Sequence, residues 1–125
     1  MSKVLDNLKY TKSHEWIRVD GKTGIIGVTD YAQESLGSIV YVDLGAIGDQ
    51  VEQFKEFGAV ESVKAASDLI SPITGKIIAI NQEVIDNPEL INDDAYENWL
   101  VKVEIEDEGE LDKLLDAAAY LQSLE

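Results

Sequence analysis

The 125-residue chain has no cysteine, one histidine, one methionine, two prolines, and only 10 Lys+Arg against 25 Asp+Glu. The absence of cysteine removes disulfides, thiolate zinc sites and cysteine nucleophiles together, and leaves the redox compartment open. The shortage of basic residues gives a formal net charge of −15 at pH 7. Nucleic acid and anionic membrane surfaces both attract basic segments, so neither is expected as a partner. The longest apolar run is a few residues over 77–80, against the roughly 18 to 20 that span a bilayer, so no transmembrane helix is expected. Residues 1–10 carry neither an apolar signal core nor an Arg-rich amphipathic leader. The cytoplasm is therefore the expected compartment, with the mitochondrial matrix as the alternative for a mature chain.

What is present points to a folded chain. Hydrophobic residues make up 45% of the sequence, enough for one core, and residues 1–125 are expected to form a single domain. The acidity is uneven: residues 1–64 hold seven Lys+Arg and ten Asp+Glu, whereas 65–125 hold three and fifteen. Such asymmetry steers a basic partner or simply solvates one side.

Alternating or β-branched apolar segments predict strands over 15–19, 24–28, 38–42, 58–63, 68–71, 76–80 and 99–105. Glycines punctuate them, and the segments after Gly58 and Gly75 resemble each other, as in a small barrel or sandwich built from two related hairpins. A helix is expected over 30–36, with Thr29 or Asp30 as its N-cap and Gly37 closing it. Asn87 before Pro88 predicts a single helical turn that Asn92 ends in the left-handed conformation. Leu111, Leu114, Leu115, Ala118 and Leu121 recur at three- and four-residue spacing, which predicts a terminal helix packed on the sheet. The fold class is mostly β, with short flanking helices and a C-terminal helix.

Few residues offer catalysis. Ser13, His14 and Glu15 are adjacent, and neighbours along a strand point to opposite faces, so they do not assemble a nucleophile, base and orienter. His14 is expected to pack beside Trp16 or bond to backbone. Gly21, Gly24 and Gly27 lack the strand-to-helix context and Lys-Ser/Thr ending of a phosphate loop and read as turn glycines. The acidic run 104–110 lacks the spacing and central glycine of a calcium loop, so no metal is assigned.

The informative stretch is Glu61, Ser62, Val63, Lys64, Ala65 and Ala66. Strand signals stop at Val63 and resume near Leu69, so Lys64 opens a turn whose small neighbours leave its amine unobstructed. An exposed lysine is by default a solubilising charge. Here, however, residues 61–65 resemble the lipoylation hairpin of the glycine cleavage system H protein family, a lipoyl carrier family. Tyr10, the segments 13–16 and 27–33, Leu36, Gly37, 41–44, 71–75, Asn81, 88–92, Trp99, Leu100 and Tyr120 are similar to the family's pattern in the same order. The resemblance covers essentially the whole chain. It departs at Gly45 and Ala95, where the family usually has proline, at Asn98 in place of a glycine, and in an approach to Trp99 that is one residue short.

The resemblance implies a lipoyl-domain-like barrel-sandwich hybrid, and lipoate joined by an amide to Lys64. It implies a carrier rather than an enzyme, which takes the aminomethyl group of glycine from a decarboxylating, pyridoxal-phosphate glycine dehydrogenase to a tetrahydrofolate-dependent aminomethyltransferase. Dihydrolipoyl dehydrogenase then reoxidises the arm, and a lipoate-attaching enzyme installs it. By the same resemblance Ser13, Glu15 and Asp68 dock the loaded arm, and Glu61 helps the attaching enzyme recognise the turn. The alternatives are a relay or interaction protein of the same fold, and a biotinyl carrier; the methionines that flank a biotinyl lysine are absent at Val63 and Ala65.

Overall fold

The chain alternates short β segments with tight turns, and their apolar faces pair two antiparallel sheets around one core. The structure, a computed structural model, describes residues 2–124. The strands are β1 (Lys9–Tyr10), β2 (Glu15–Asp20), β3 (Thr23–Val28), β4 (Ile39–Asp43), β5 (Gln50–Val51), β6 (Glu56–Ser62), β7 (Ala66–Ile70), β8 (Gly75–Ile80) and β9 (Val101–Ile105). Helix α1 (Asp30–Leu36) precedes β4, α2 (Gln82–Asp86) and α3 (Leu90–Asp93) lie between β8 and β9, and α4 (Ala117–Ser123) closes the chain. One sheet has the order β1-β2-β3-β9-β8-β5 and the other β4-β6-β7. They face each other as a sandwich without closing into a barrel. Val42, Val60 and Leu69 of the smaller sheet share a buried cluster with Ile17, Ile26, Ile77, Val101 and Val103 of the larger. Each such side chain contributes about 1.5–3 kcal/mol by leaving water.

The larger sheet is covered on both faces at its β2–β3 end. Successive side chains alternate between faces, so Ile17 and Ile26 enter the shared core, while Trp16 and Ile25 join a second cluster with Tyr10, Tyr96 and Tyr120. Trp16 pairs with Gly27, and a Cβ on Gly27 would lie 2.5 Å from Trp16 Cζ2. A Cβ on Gly24 would lie 2.7 Å from Ile17 Cδ1. Of the three glycines expected in turns, only Gly21 is one, with φ 63° between β2 and β3. Gly24 and Gly27 are strand residues that make room for large partners.

The seven expected strands are present with shifted ends, and β1 and β5, two residues each, are additional. Thr29 caps α1 by accepting the Ala32 amide, and Gly37 closes it. The terminal region differs from the single amphipathic helix expected. Residues Glu108–Lys113 form a 3-10 helix, Leu115 is extended and exchanges both backbone hydrogen bonds with Tyr10, and Asp116 then caps α4. That break turns Tyr120 inward and leaves Leu121 44% exposed. The turn expected after Asn87 begins later, at Leu90, whose amide donates to the Asn87 carbonyl. Asn92 lies inside α3, and Asp94, not Asn92, ends it. Helix α2, held by the buried Val84, was not expected.

Candidate functional site

Lys64 is the middle one of the three residues that connect β6 to β7, in a turn that closes on the pair Glu61–Ala66. Ser62 shapes this turn. Its amide donates to the Ala65 carbonyl at 2.7 Å, and its Oγ accepts from the amides of Lys64 and Ala65 at 3.3 and 3.1 Å. The Val63 amide donates to the Ser38 carbonyl at 3.0 Å, tying the turn to the connection between α1 and β4. These bonds hold the Lys64 backbone and leave its side chain exposed. Its stem lies over Gly37, where a Cβ would stand 3.4 Å from Lys64 Cε. Val63, 72% exposed, flanks it. Glu61 is exposed on the outer face, paired with Tyr41 on β4.

Of Ser13, Glu15 and Asp68, the structure brings the first two together. Glu15 is 2% exposed. Its Oε1 accepts from Thr11 Oγ1 and Ser13 Oγ at 2.6 and 2.5 Å, and its Oε2 accepts from the Ile70 amide at 3.2 Å. Burial raises its pKa from 4.5 to about 7, against the lowering effect of those hydrogen bonds. Asp68 stands apart on the exposed side of β7, where it raises the pKa of Glu56 by hydrogen bonding and like-charge repulsion. By strand alternation it points to the same side as Ile70, roughly 7 Å nearer the turn. Ser13 and Ile70 line a cleft of about 470 Å³ with Tyr10, Thr11, Phe54 and Leu115, flanked by Lys12 and Lys113. Thr11 and Phe54 gave no signal in the sequence. Thr11 acts through a local side-chain turn with Glu15, and Phe54 through a left-handed φ of 65°.

His14 does not pack beside Trp16 or bond to backbone through its ring. Its Nδ1 meets Tyr120 Oη at 2.8 Å, and its ring stacks obliquely on Tyr31 with centroids 4.6 Å apart. A backbone φ of 75° turns it away from Ser13 and Glu15. Among the described residues no group of three or more His, Cys, Asp or Glu could hold a metal, and no helix is long and apolar enough to cross a membrane.

The model of the family described as glycine cleavage H-protein matches residues 8–125. The chain belongs to the glycine cleavage H-protein family. A relative described as glycine cleavage system H protein, from Carboxydothermus hydrogenoformans, is 53% identical over 126 residues, covering 100% of this chain and 97% of the relative. A mitochondrial H protein of Arabidopsis thaliana is 50% identical over 120 residues, 95% of this chain and 77% of that one. The crystal structure of an H protein from Mycobacterium marinum matches with a TM-score of 0.86 at 33% identity, over 97% of this chain and 98% of that one. The sandwich of short strands with flanking helices is the lipoyl-domain-like fold of the H-protein family.

The departures from the family pattern have structural consequences. Gly45 adopts φ 76°, and its amide donates to Asp43 Oδ1 at 3.1 Å, which pins the turn. Ala95 is buried, and its carbonyl accepts from Trp16 Nε1. Asn98 is not left-handed. Its amide instead donates to the carbonyls of Leu90 and Asp94 at 2.9 and 3.0 Å, fixing the short approach to Trp99.

Proposed function

We propose that this chain, acting as a single domain, is the lipoyl carrier of the glycine cleavage system, with lipoate joined to Lys64. The observation that carries the reading is an exposed lysine on a turn whose backbone is fixed by Ser62 and Ser38. A rigid turn lets several enzymes find the same amine, and an unburied side chain lets the arm reach each of them. When attached, the dithiolane supplies a disulfide that is reduced as it accepts the aminomethyl group and reoxidised after that group departs. The protein contributes tethering, which raises the arm's effective concentration at each partner. Having no cysteine, it offers no thiol to exchange with the arm.

The partners of this reading are the decarboxylating glycine dehydrogenase, the tetrahydrofolate-dependent aminomethyltransferase, dihydrolipoyl dehydrogenase and a lipoate-attaching enzyme. Glu61, one strand pair from the turn, is a recognition point for the last. Ser13 and Glu15 hold the cationic end of the loaded arm, with Asp68 as a second carboxylate along β7. The chain does not itself catalyse; the bond changes take place in its partners. The reading places the protein with its partner enzymes in the cytoplasm, or in the mitochondrial matrix for a mature chain.

Reconstitution with the partner enzymes tests this. The lipoylated chain supports glycine-dependent release of CO₂ and Lys64→Ala does not. Equal release by both proteins contradicts the reading, and a lipoylated chain inert in the assay favours a relay role.

A further inference from the structure

We infer that Asn92 is a positioning residue for Lys64, acting from α3 through the connection between α1 and β4. This rests on the reading of Lys64 as the lipoyl lysine. The Asn92 amide makes three hydrogen bonds to residues 53 to 59 positions away in sequence. Its Oδ1 accepts from the Ile39 amide at 2.9 Å, and its Nδ2 donates to the Gly37 carbonyl at 2.8 Å and to Gln33 Oε1 at 3.0 Å. One side chain thus satisfies the carbonyl before Ser38 and the amide after it, as a neighbouring strand would.

The clamped segment is the seat of the lysine. Ser38, between the two clamped residues, gives its carbonyl to the Val63 amide, and the Lys64 stem lies over Gly37. Gly37 has φ 79° and ψ −153°, a region open essentially to glycine alone, so its conformation needs support from its surroundings. The clamp itself is anchored. Ile91, beside Asn92, is fully buried, and Asn98 holds the carbonyls at both ends of α3. A continuous path of bonds and contacts therefore runs from the core to the modified amine, through Asn92, residues 37–39 and Val63.

Attachment forms an amide between Lys64 Nζ and the carboxyl carbon of an activated lipoyl ester. The bond from that carbon to its activating group breaks, the leaving group keeps the electron pair, and the lysine ammonium releases two protons to solvent. The amine must meet a fixed acyl carbon in another protein's active site, where a displacement of about 1 Å costs up to 10²-fold in rate. Loss of the clamp leaves the recognition surface at Glu61 in place while letting Lys64 wander. The kinetic signature is a fall in kcat with little change in KM for the protein.

The test uses the full chain, a lipoate-attaching enzyme and lipoate with ATP. Asn92→Ala and Asn92→Asp should each lower kcat about tenfold and change KM less than twofold, with faster exchange of the Val63 amide. Val103→Ala, a core truncation in β9, matches their loss of stability but keeps the wild-type kcat. The inference is overturned if the Asn92 variants modify at the wild-type rate, or if Val103→Ala slows attachment equally. A wild-type chain that is not modified at Lys64 overturns the underlying reading instead.

Discussion

Glu15 Oε2 accepts the Ile70 amide at 3.2 Å, so a buried carboxyl at the start of β2 is bonded to the strand that descends from the Lys64 turn. The contact joins the two sheets beside the cleft lined by Ser13 and Ile70. Burial of that carboxyl, against the lowering effect of its hydrogen bonds, gives the protein a titration near neutrality. In the folded chain Glu15 keeps its proton up to about pH 7, whereas the ordinary carboxyl loses it near 4.5. The stabilisation that the protonated form provides is therefore complete below about pH 4.5 and is lost as the pH rises through 7. The difference corresponds to about 3 kcal/mol at roughly 1.4 kcal/mol per pH unit. Denaturant unfolding from pH 4 to pH 8 should show this loss in the wild type and not in Glu15→Gln; parallel pH profiles would contradict it.

Loading the arm should reverse that titration. An ammonium docked at Ser13 and Glu15 favours the ionised carboxylate, so the Glu15 pKa falls when the aminomethyl form is made. The double variant Glu15→Ala, Asp68→Ala should shorten the lifetime of that form several-fold, measured by the release of formaldehyde and ammonia. An unchanged lifetime would remove the docking role from both residues.

Gly27 is a packing requirement. Gly27→Ala puts a methyl group 2.5 Å from Cζ2 of the Trp16 indole, which is 0% exposed, so the indole or the strand must shift. Overpacking of this kind costs about 1–3 kcal/mol. Thermal unfolding should show the loss with Lys64 still modified at its normal rate, because Trp16 belongs to the cluster on the far face of the sheet.

Proline at position 45 should destabilise this chain. Proline holds φ near −65° and has no amide proton, whereas Gly45 uses φ 76° and donates to Asp43 Oδ1. Gly45→Pro should lower stability by more than about 1 kcal/mol. A stabilised variant would mean that the turn relaxes to another geometry.

The strands were legible because their alternation is set by burial, and so was the exposed turn at Lys64, because small residues interrupt the apolar pattern there. The end of the chain misled for a physical reason. Spacings of three and four also fit a 3-10 turn followed by a short helix, and the Asp116 cap and the pairing of Leu115 with Tyr10 override a continuous helix. The residues proposed to dock the arm came only through resemblance, since the partners that bury Glu15 are distant or unremarkable in sequence. Ile70 lies 55 positions away, and Thr11 becomes important only once the loop folds back on itself. Asn92 looked like a helix terminator because asparagine commonly is one. Its long-range bonds to Gly37 and Ile39 are a tertiary feature that no local pattern encodes.

The proposed function makes Lys64 the lysine that is modified. Its most direct test is the intact mass of the purified chain after incubation with lipoate, ATP and a lipoate-attaching enzyme, followed by peptide mapping. The expected result is a gain of one lipoyl amide, located at Lys64 and abolished in Lys64→Ala. No gain in mass, or a gain that persists in Lys64→Ala, would contradict it.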